Sequence, residues 1–184
     1  TGINLIDEAA RLNQVGCNVV VVPYNTTYAD IMKYNPDGLF LSNGPGDPTD
    51  VVEVINLVKE ARGKLPILGI CLGHQIIGLA CGAKTYKMKF GHRGSNHPVI
   101  NLLTDKVEIT SQNHSFAIDK ASLEGTGLTL THKNLIDDEA EGMMDLENSI
   151  ISVQYHPESA AGPEDSEYIF NRFIELIDNF GGKR

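Results

Sequence analysis

The sequence lacks any long apolar run. Nothing in its 184 residues approaches membrane-spanning length, and no basic-then-apolar leader is read at its start. With 41% hydrophobic and 21% charged residues, a soluble globular protein is expected. Basic residues are few: 15 Lys and Arg against 24 Asp and Glu give a net charge of −9. That balance argues against a nucleic-acid or anionic-membrane surface. Cysteine is scarce as well. Cys17, Cys71 and Cys81 form no paired framework, which points to a reducing, cytoplasmic setting. Repeats, low-complexity tracts and linkers are missing, so residues 1–184 read as one domain.

What is present centres on Pro66-Ile-Leu-Gly-Ile-Cys71-Leu-Gly-His-Gln75. An apolar run stops at Gly-x-Cys-x-Gly, and a helical apolar pattern (Ile76, Ile77, Leu79, Ala80) starts at once. That is the layout of a nucleophile elbow with cysteine at its tip. Glycines on either side permit a sharp strand-to-helix turn. The thiol would then sit at a helix N-terminus, where the dipole favours thiolate. A buried packing cysteine is the plainer alternative.

Around the elbow, strands and helices alternate. An amphipathic helix (Ile3, Leu5, Ile6, Ala9, Leu12) ends at Gly16, and Asn18–Val22 reads as a buried strand. A short helix over 29–34, a strand over 38–41, a helix capped by Thr49 or Asp50, and the strand Pro66–Ile70 follow. From Gly82 the texture becomes hairpin-like, with short strands at 85–89, 98–102, 107–110, 128–131 and 141–146. Ile150–Tyr155 returns to the buried type, and Pro163 with Glu164 and Asp165 signals a final helix. The expected fold is α/β: a three-layer, mostly parallel open sheet with flanking helices and additional antiparallel strands.

Cysteine catalysis needs a base and a group that orients the base. His156 follows a buried strand, where catalytic groups of open α/β sheets gather. Glu158 would share its side if the segment stays extended, with Pro157 stiffening the pair. An oxyanion needs donors. The Leu72 amide offers one, and the Gly44-Pro45-Gly46 loop another. A surface turn and a tight turn are the bland readings of these two segments. Cys71, His74, His92 and His97 form a candidate zinc grouping, but no second half-site matches, and no metal is expected. Lys84, Lys87, Lys89 and Arg93 form a basic patch for a carboxylate or a partner, or simply a solvated strand face.

Gly69-Ile-Cys71-Leu-Gly73-His-Gln75 with the later His156-Pro-Glu158 resembles the class I, triad-type glutamine amidotransferases. Within that family four stretches look like the small subunit of carbamoyl phosphate synthases. They are 41–48 (LSNGPGDP), 82–94 running on to 96–99, 112–117 (QNHSFA), and 153–158 (VQYHPE) with Gly162-Pro163. The resemblance implies a flavodoxin-like fold and hydrolysis of L-glutamine through a Cys71 thioester. His156 would be the base and acid, Glu158 its orienter, and the amides of Gly44 and Leu72 the oxyanion hole. Gly44, Gly46, Leu72, Gln75, Asn113, Ser115 and Phe116 would line the glutamine site. Ammonia would pass to a separate large subunit that uses ATP and Mg, this chain holding no cofactor of its own. An N-terminal domain and a first strand, also implied, are not in this sequence. Ser115 stands where the family commonly has glycine, which would strain a left-handed backbone. Another amidotransferase type (anthranilate, aminodeoxychorismate or GMP) and a non-catalytic glutamine-binding docking module are the alternatives.

Overall fold

A computed structural model of the chain describes residues 2–159 and 168–181. Five helices are present there: α1 (Gly2–Gln14), α2 (Tyr28–Met32), α3 (Val52–Ala61), α4 (Leu72–Cys81) and α5 (Tyr168–Gly181). They flank one sheet built from β1 (Leu39–Leu41), β2 (Ile67–Ile70), β3 (Thr85–Asn101), β4 (Lys106–Ile118), β5 (Thr129–Asn134), β6 (Ala140–Asp145) and β7 (Ile150–Val153). The strand order is β1-β2-β7-β6-β5-β3-β4.

The α/β class with flanking helices and added antiparallel strands is as expected, and the sheet is mixed. Among the described residues, parallel pairing is confined to β1–β2 and β2–β7, and the other four pairings are antiparallel. One reason is that Asn18–Val22 joins no ladder. Val19 and Val22 pack toward the two cores, while Val20 and Val21 are 59% and 61% exposed. An apolar run specifies an extended segment that can be covered; a strand also needs a neighbour with free amides and carbonyls.

Alternation along β2 and β7 divides the core in two. Ile67 and Ile150 face α3 and α4, whereas Leu68, Ile70, Ile151 and Val153 face α5 and Leu12 of α1. The α4 bounds match the pattern read around the elbow, and Gly16, at φ +95°, ends α1. The helix before β2 starts differently. Asp47 caps a short 3-10 turn at Pro48–Asp50, and α3 begins behind Val51 with no side-chain cap. The start signals at Pro163, Glu164 and Asp165, and the Gly162-Pro163 match, lie outside the described residues.

The second half is less broken than its sequence suggests. The segments 85–89 and 98–102 belong to one strand, β3, paired with β4 across register shifts at Lys87/His92 and Gly94/His97. Gly91 and Gly94, at φ +67° and +125°, are bulge residues here, not turns between strands. No helix among the described residues is long and apolar enough to cross a membrane.

Candidate active site

Three adjacent strands deliver the site at their carboxyl ends. Gly44 follows β1, Cys71 follows β2, and His156 follows β7. Cys71 is the N-cap of α4 and holds φ 53°, ψ −102°, a strained conformation for a residue with Cβ. Its amide donates to the Val153 carbonyl at 2.9 Å, tying the elbow to β7.

Crowding explains the elbow glycines. A Cβ on Gly69 would lie 2.7 Å from the Gly73 carbonyl oxygen, and one on Gly73 would lie 2.2 Å from that of Leu41. They are required by close approach, and the left-handed backbone falls on Cys71 itself. A Cβ on Gly44 would sit 2.7 Å from Leu72 Cδ2, so the loop after β1 lies directly against the first residue of α4.

Behind the thiol, His156 Nδ1 pairs with Glu158 Oε1 at 2.8 Å, and both side chains are buried. The segment is not extended, as its sequence suggested: Pro157–Ser159 is a 3-10 turn. Proline at its first position suits that turn and still lets residues 156 and 158 meet. The His156 amide donates to the Ser111 carbonyl at 2.9 Å. Its Nε2 has no hydrogen-bond partner among the described residues. Burial opposes a charge on His156, but its interactions with Cys71 and Glu158 outweigh this and push its pKa up to about 10.

A cleft of about 470 Å³ opens over these groups. Gly44, Gly46, Cys71, Gln75, Asn113, Ser115, Phe116 and His156 line it; Leu72 and Glu158 are not on its surface. Gln75 is braced from below, its Nε2 donating to Phe116 O and Gln154 Oε1, both at 2.9 Å. Ser115 has no left-handed φ and so no glycine-type strain, and its Oγ accepts from Arg93 at 2.7 Å. A separate void beside Leu103, Met144 and Tyr168 holds about 20 Å³, room for one water at most.

The zinc grouping weighed from the sequence is not assembled. His74 is fully buried against Ser152, 3.0 Å away, and burial pushes its pKa down to about 3. His92 lies beside both His97 and His114, with ring centroids 5.0 Å from each, and the candidate ligand atoms of His92, His114 and Glu141 lie within 4.8 Å of one another. Each is already engaged. His92 Nε2 is 2.6 Å from Asp137, Gln112 and Asn134 donate to Glu141, and both nitrogens of His114 have partners.

Sequence reasoning did not name four cleft residues, Asn43, Pro45, Lys87 and His114, as lining the site, although all four lay in segments it had singled out. It also missed Glu8, which is 0% exposed. Burial pushes the Glu8 pKa up to about 7, helped by the Glu158 charge and opposed by Ser42, Asn43 and His156. A signal existed. Glu8 lies on the line Leu5–Glu8–Leu12, which faces inward, whereas Ile6, counted in the expected stripe, is 69% exposed.

Comparison with known proteins agrees with this geometry. The family model for class-I glutamine amidotransferases matches residues 7–176. The carbamoyl phosphate synthase small chain of Fusobacterium nucleatum is 55% identical over 164 residues, covering 89% of this chain and 46% of that one. That of Bacillus cereus is 54% identical over 170 residues, covering 92% and 47%. The chain thus spans about half the length of the curated relatives it matches. A crystal structure from Thermoplasma acidophilum, described as that of a GMP synthase subunit, shares the fold with TM-score 0.80. It is 24% identical, with 96% of this chain and 89% of that one covered. A family match running from α1 into α5, over a strained cysteine elbow backed by a histidine–glutamate pair, places this chain among the class-I glutamine amidotransferases.

Proposed function

We propose that this chain is the glutaminase part of a carbamoyl phosphate synthase small subunit, releasing ammonia from L-glutamine for a large subunit. The observation that carries the catalytic reading is the open His156 Nε2 behind Cys71, with Glu158 fixed on the opposite ring nitrogen. The identity of the synthase rests on the small-chain relatives at 54–55% identity.

The proposed steps follow from the positions of the groups. The thiol proton passes to His156 Nε2, and Cys71 Sγ attacks the side-chain amide carbon of glutamine. The amide oxygen becomes an oxyanion facing the amides of Gly44 and Leu72. His156 returns the proton to nitrogen, the C–N bond breaks, and ammonia leaves a thioester. His156 then deprotonates water, which attacks the thioester; the C–S bond breaks, and glutamate and the thiol are restored. Glu158 holds the imidazole in one orientation throughout. Gly46, Gln75, Asn113, Ser115 and Phe116 position the amino-acid end. The chain needs no cofactor for this; ATP and Mg act in the large subunit, where the ammonia is consumed. The reactions it would serve belong to cytoplasmic arginine and pyrimidine synthesis.

The test is glutamine-dependent carbamoyl phosphate formation in the presence of a large subunit, ATP, Mg and bicarbonate. The parent should support it, and Cys71→Ala should abolish it while synthesis from added ammonia persists. Glutamine hydrolysis without carbamoyl phosphate, but with product from a GMP or anthranilate partner, would overturn the choice of synthase.

A further inference from the structure

α1 carries an acid on its inward-facing line. Glu8, between Leu5 and Leu12, is fully buried, and a buried carboxylate is costly unless its oxygens are satisfied. Both are, by one short segment. Ser42 Oγ donates to Oε2, and the Asn43 amide donates to Oε1 at 3.3 Å. That segment leads straight into Gly44. The other acceptors near Ser42 Oγ belong to Asn43 itself, so Glu8 supplies the side-chain hydrogen bonds that tie Ser42 and Asn43 to another element, while Gly44 packs against Leu72. Its far end is fixed separately, where Asp47 Oδ1 accepts from the Thr49 amide at 2.9 Å. α1 also packs against the Pro157–Ser159 turn that carries Glu158.

We propose that Glu8 is a positioning residue for amide hydrolysis: its carboxylate clamps Ser42 and Asn43 so that the Gly44 amide stays aimed at the oxyanion formed on Cys71. This rests on the glutaminase reading. The clamp works through the loop and not through the thiol, which is held independently by β2, α4 and the Val153 carbonyl. An oxyanion donor acts only when it is already in place as charge develops. Loosening Glu8 should therefore lower kcat far more than it raises KM.

The experiment compares Glu8→Leu, Glu8→Gln and Ser42→Ala in the full chain, with three readouts. Leucine suits the inward line of α1, so that variant keeps the helix packed. Glutamine keeps an oxygen for the Asn43 amide and an NH₂ for Ser42. In Glu8→Leu, kcat for glutamine should fall about tenfold or more, with KM changed by less than about threefold. Ser42→Ala should move kcat the same way, and Glu8→Gln should stay within about threefold of the parent. Alkylation of Cys71 by iodoacetamide forms no oxyanion, so its rate should be unchanged. Amide exchange at Asn43 and Gly44 should quicken in Glu8→Leu by about tenfold. Full kcat in Glu8→Leu, or a loss that alkylation shares, overturns the proposal. Unchanged exchange overturns it too. If the parent itself hydrolyses no glutamine, the glutaminase reading fails, and exchange still decides the clamp.

Discussion

Among the histidine–carboxylate clusters of the described residues, those of His156 and His92 differ most, and the first is built to react. His156, at the end of β7, has Glu158 on one ring nitrogen. The other nitrogen has no hydrogen-bond partner among the described residues and lies behind Cys71 at the cleft. His92, at a bulge of β3, is buried with a carboxylate toward each nitrogen, Asp137 at 2.6 Å and Glu141 at 3.4 Å. Both imidazoles are driven toward the charged form. For His92, the Glu141 contact leads, burial opposes, and Asp137 adds, giving a pKa of about 9. A raised histidine pKa is thus no mark of catalysis. His92 Nδ1 also makes no hydrogen bond, but it faces the Glu141 carboxylate; what distinguishes His156 is that its open nitrogen lies beside a nucleophile.

The contrast can be broken from the reactive side first. His156→Ala should reduce glutamine hydrolysis by about a thousandfold or more, as Cys71→Ala should, with circular dichroism unchanged. Combining the two should cost little beyond either alone, because they act as a unit. Glu158→Gln should follow at roughly a hundredfold or more, through misorientation of the imidazole, with KM nearly constant.

His92→Gln should do the reverse. Hydrolysis should stay within about threefold of the parent, while denaturant unfolding shows a loss of about 2 kcal/mol from the uncompensated acids Asp137 and Glu141. A smaller effect should appear in the pH dependence of stability. A histidine whose folded pKa lies above 6.5 stabilises fully below that value and loses its contribution as pH rises through the folded pKa. The parent should therefore lose stability between about pH 6.5 and 9, and His92→Gln should flatten part of that decline. The smallest change is expected for Ser115→Gly. Ser115 has no left-handed backbone to relieve, so the fold loses the Arg93 hydrogen bond, a fall of about 1 kcal/mol in denaturant unfolding.

Much of the reactive cluster was legible before any coordinates. Cys71, His156 and Glu158 each sit at a local pattern, an apolar run ending in a turn, and such patterns survive without knowledge of neighbours. Even there the detail was wrong at Pro157–Ser159, a 3-10 turn where an extended segment was expected. The structural cluster was not legible. His92, Asp137 and Glu141 lie on β3, between β5 and β6, and on β6, and no spacing in the chain announces that they meet.

What the sequence alone determined was the elbow, the helix it opens, the histidine–glutamate pair and, Asn18–Val22 apart, the alternation of the first half. All of these depend on residues within a turn or two of one another. Tertiary structure decided the rest: which strands found partners, where β3 bulged, and which histidine kept an open nitrogen beside a nucleophile. It also decided that Glu8, an ordinary acid on a helix, ends up inside against the loop that carries Gly44. Hydrogen-bond partners and desolvation are set by residues distant in sequence, and only the folded chain brings those residues together.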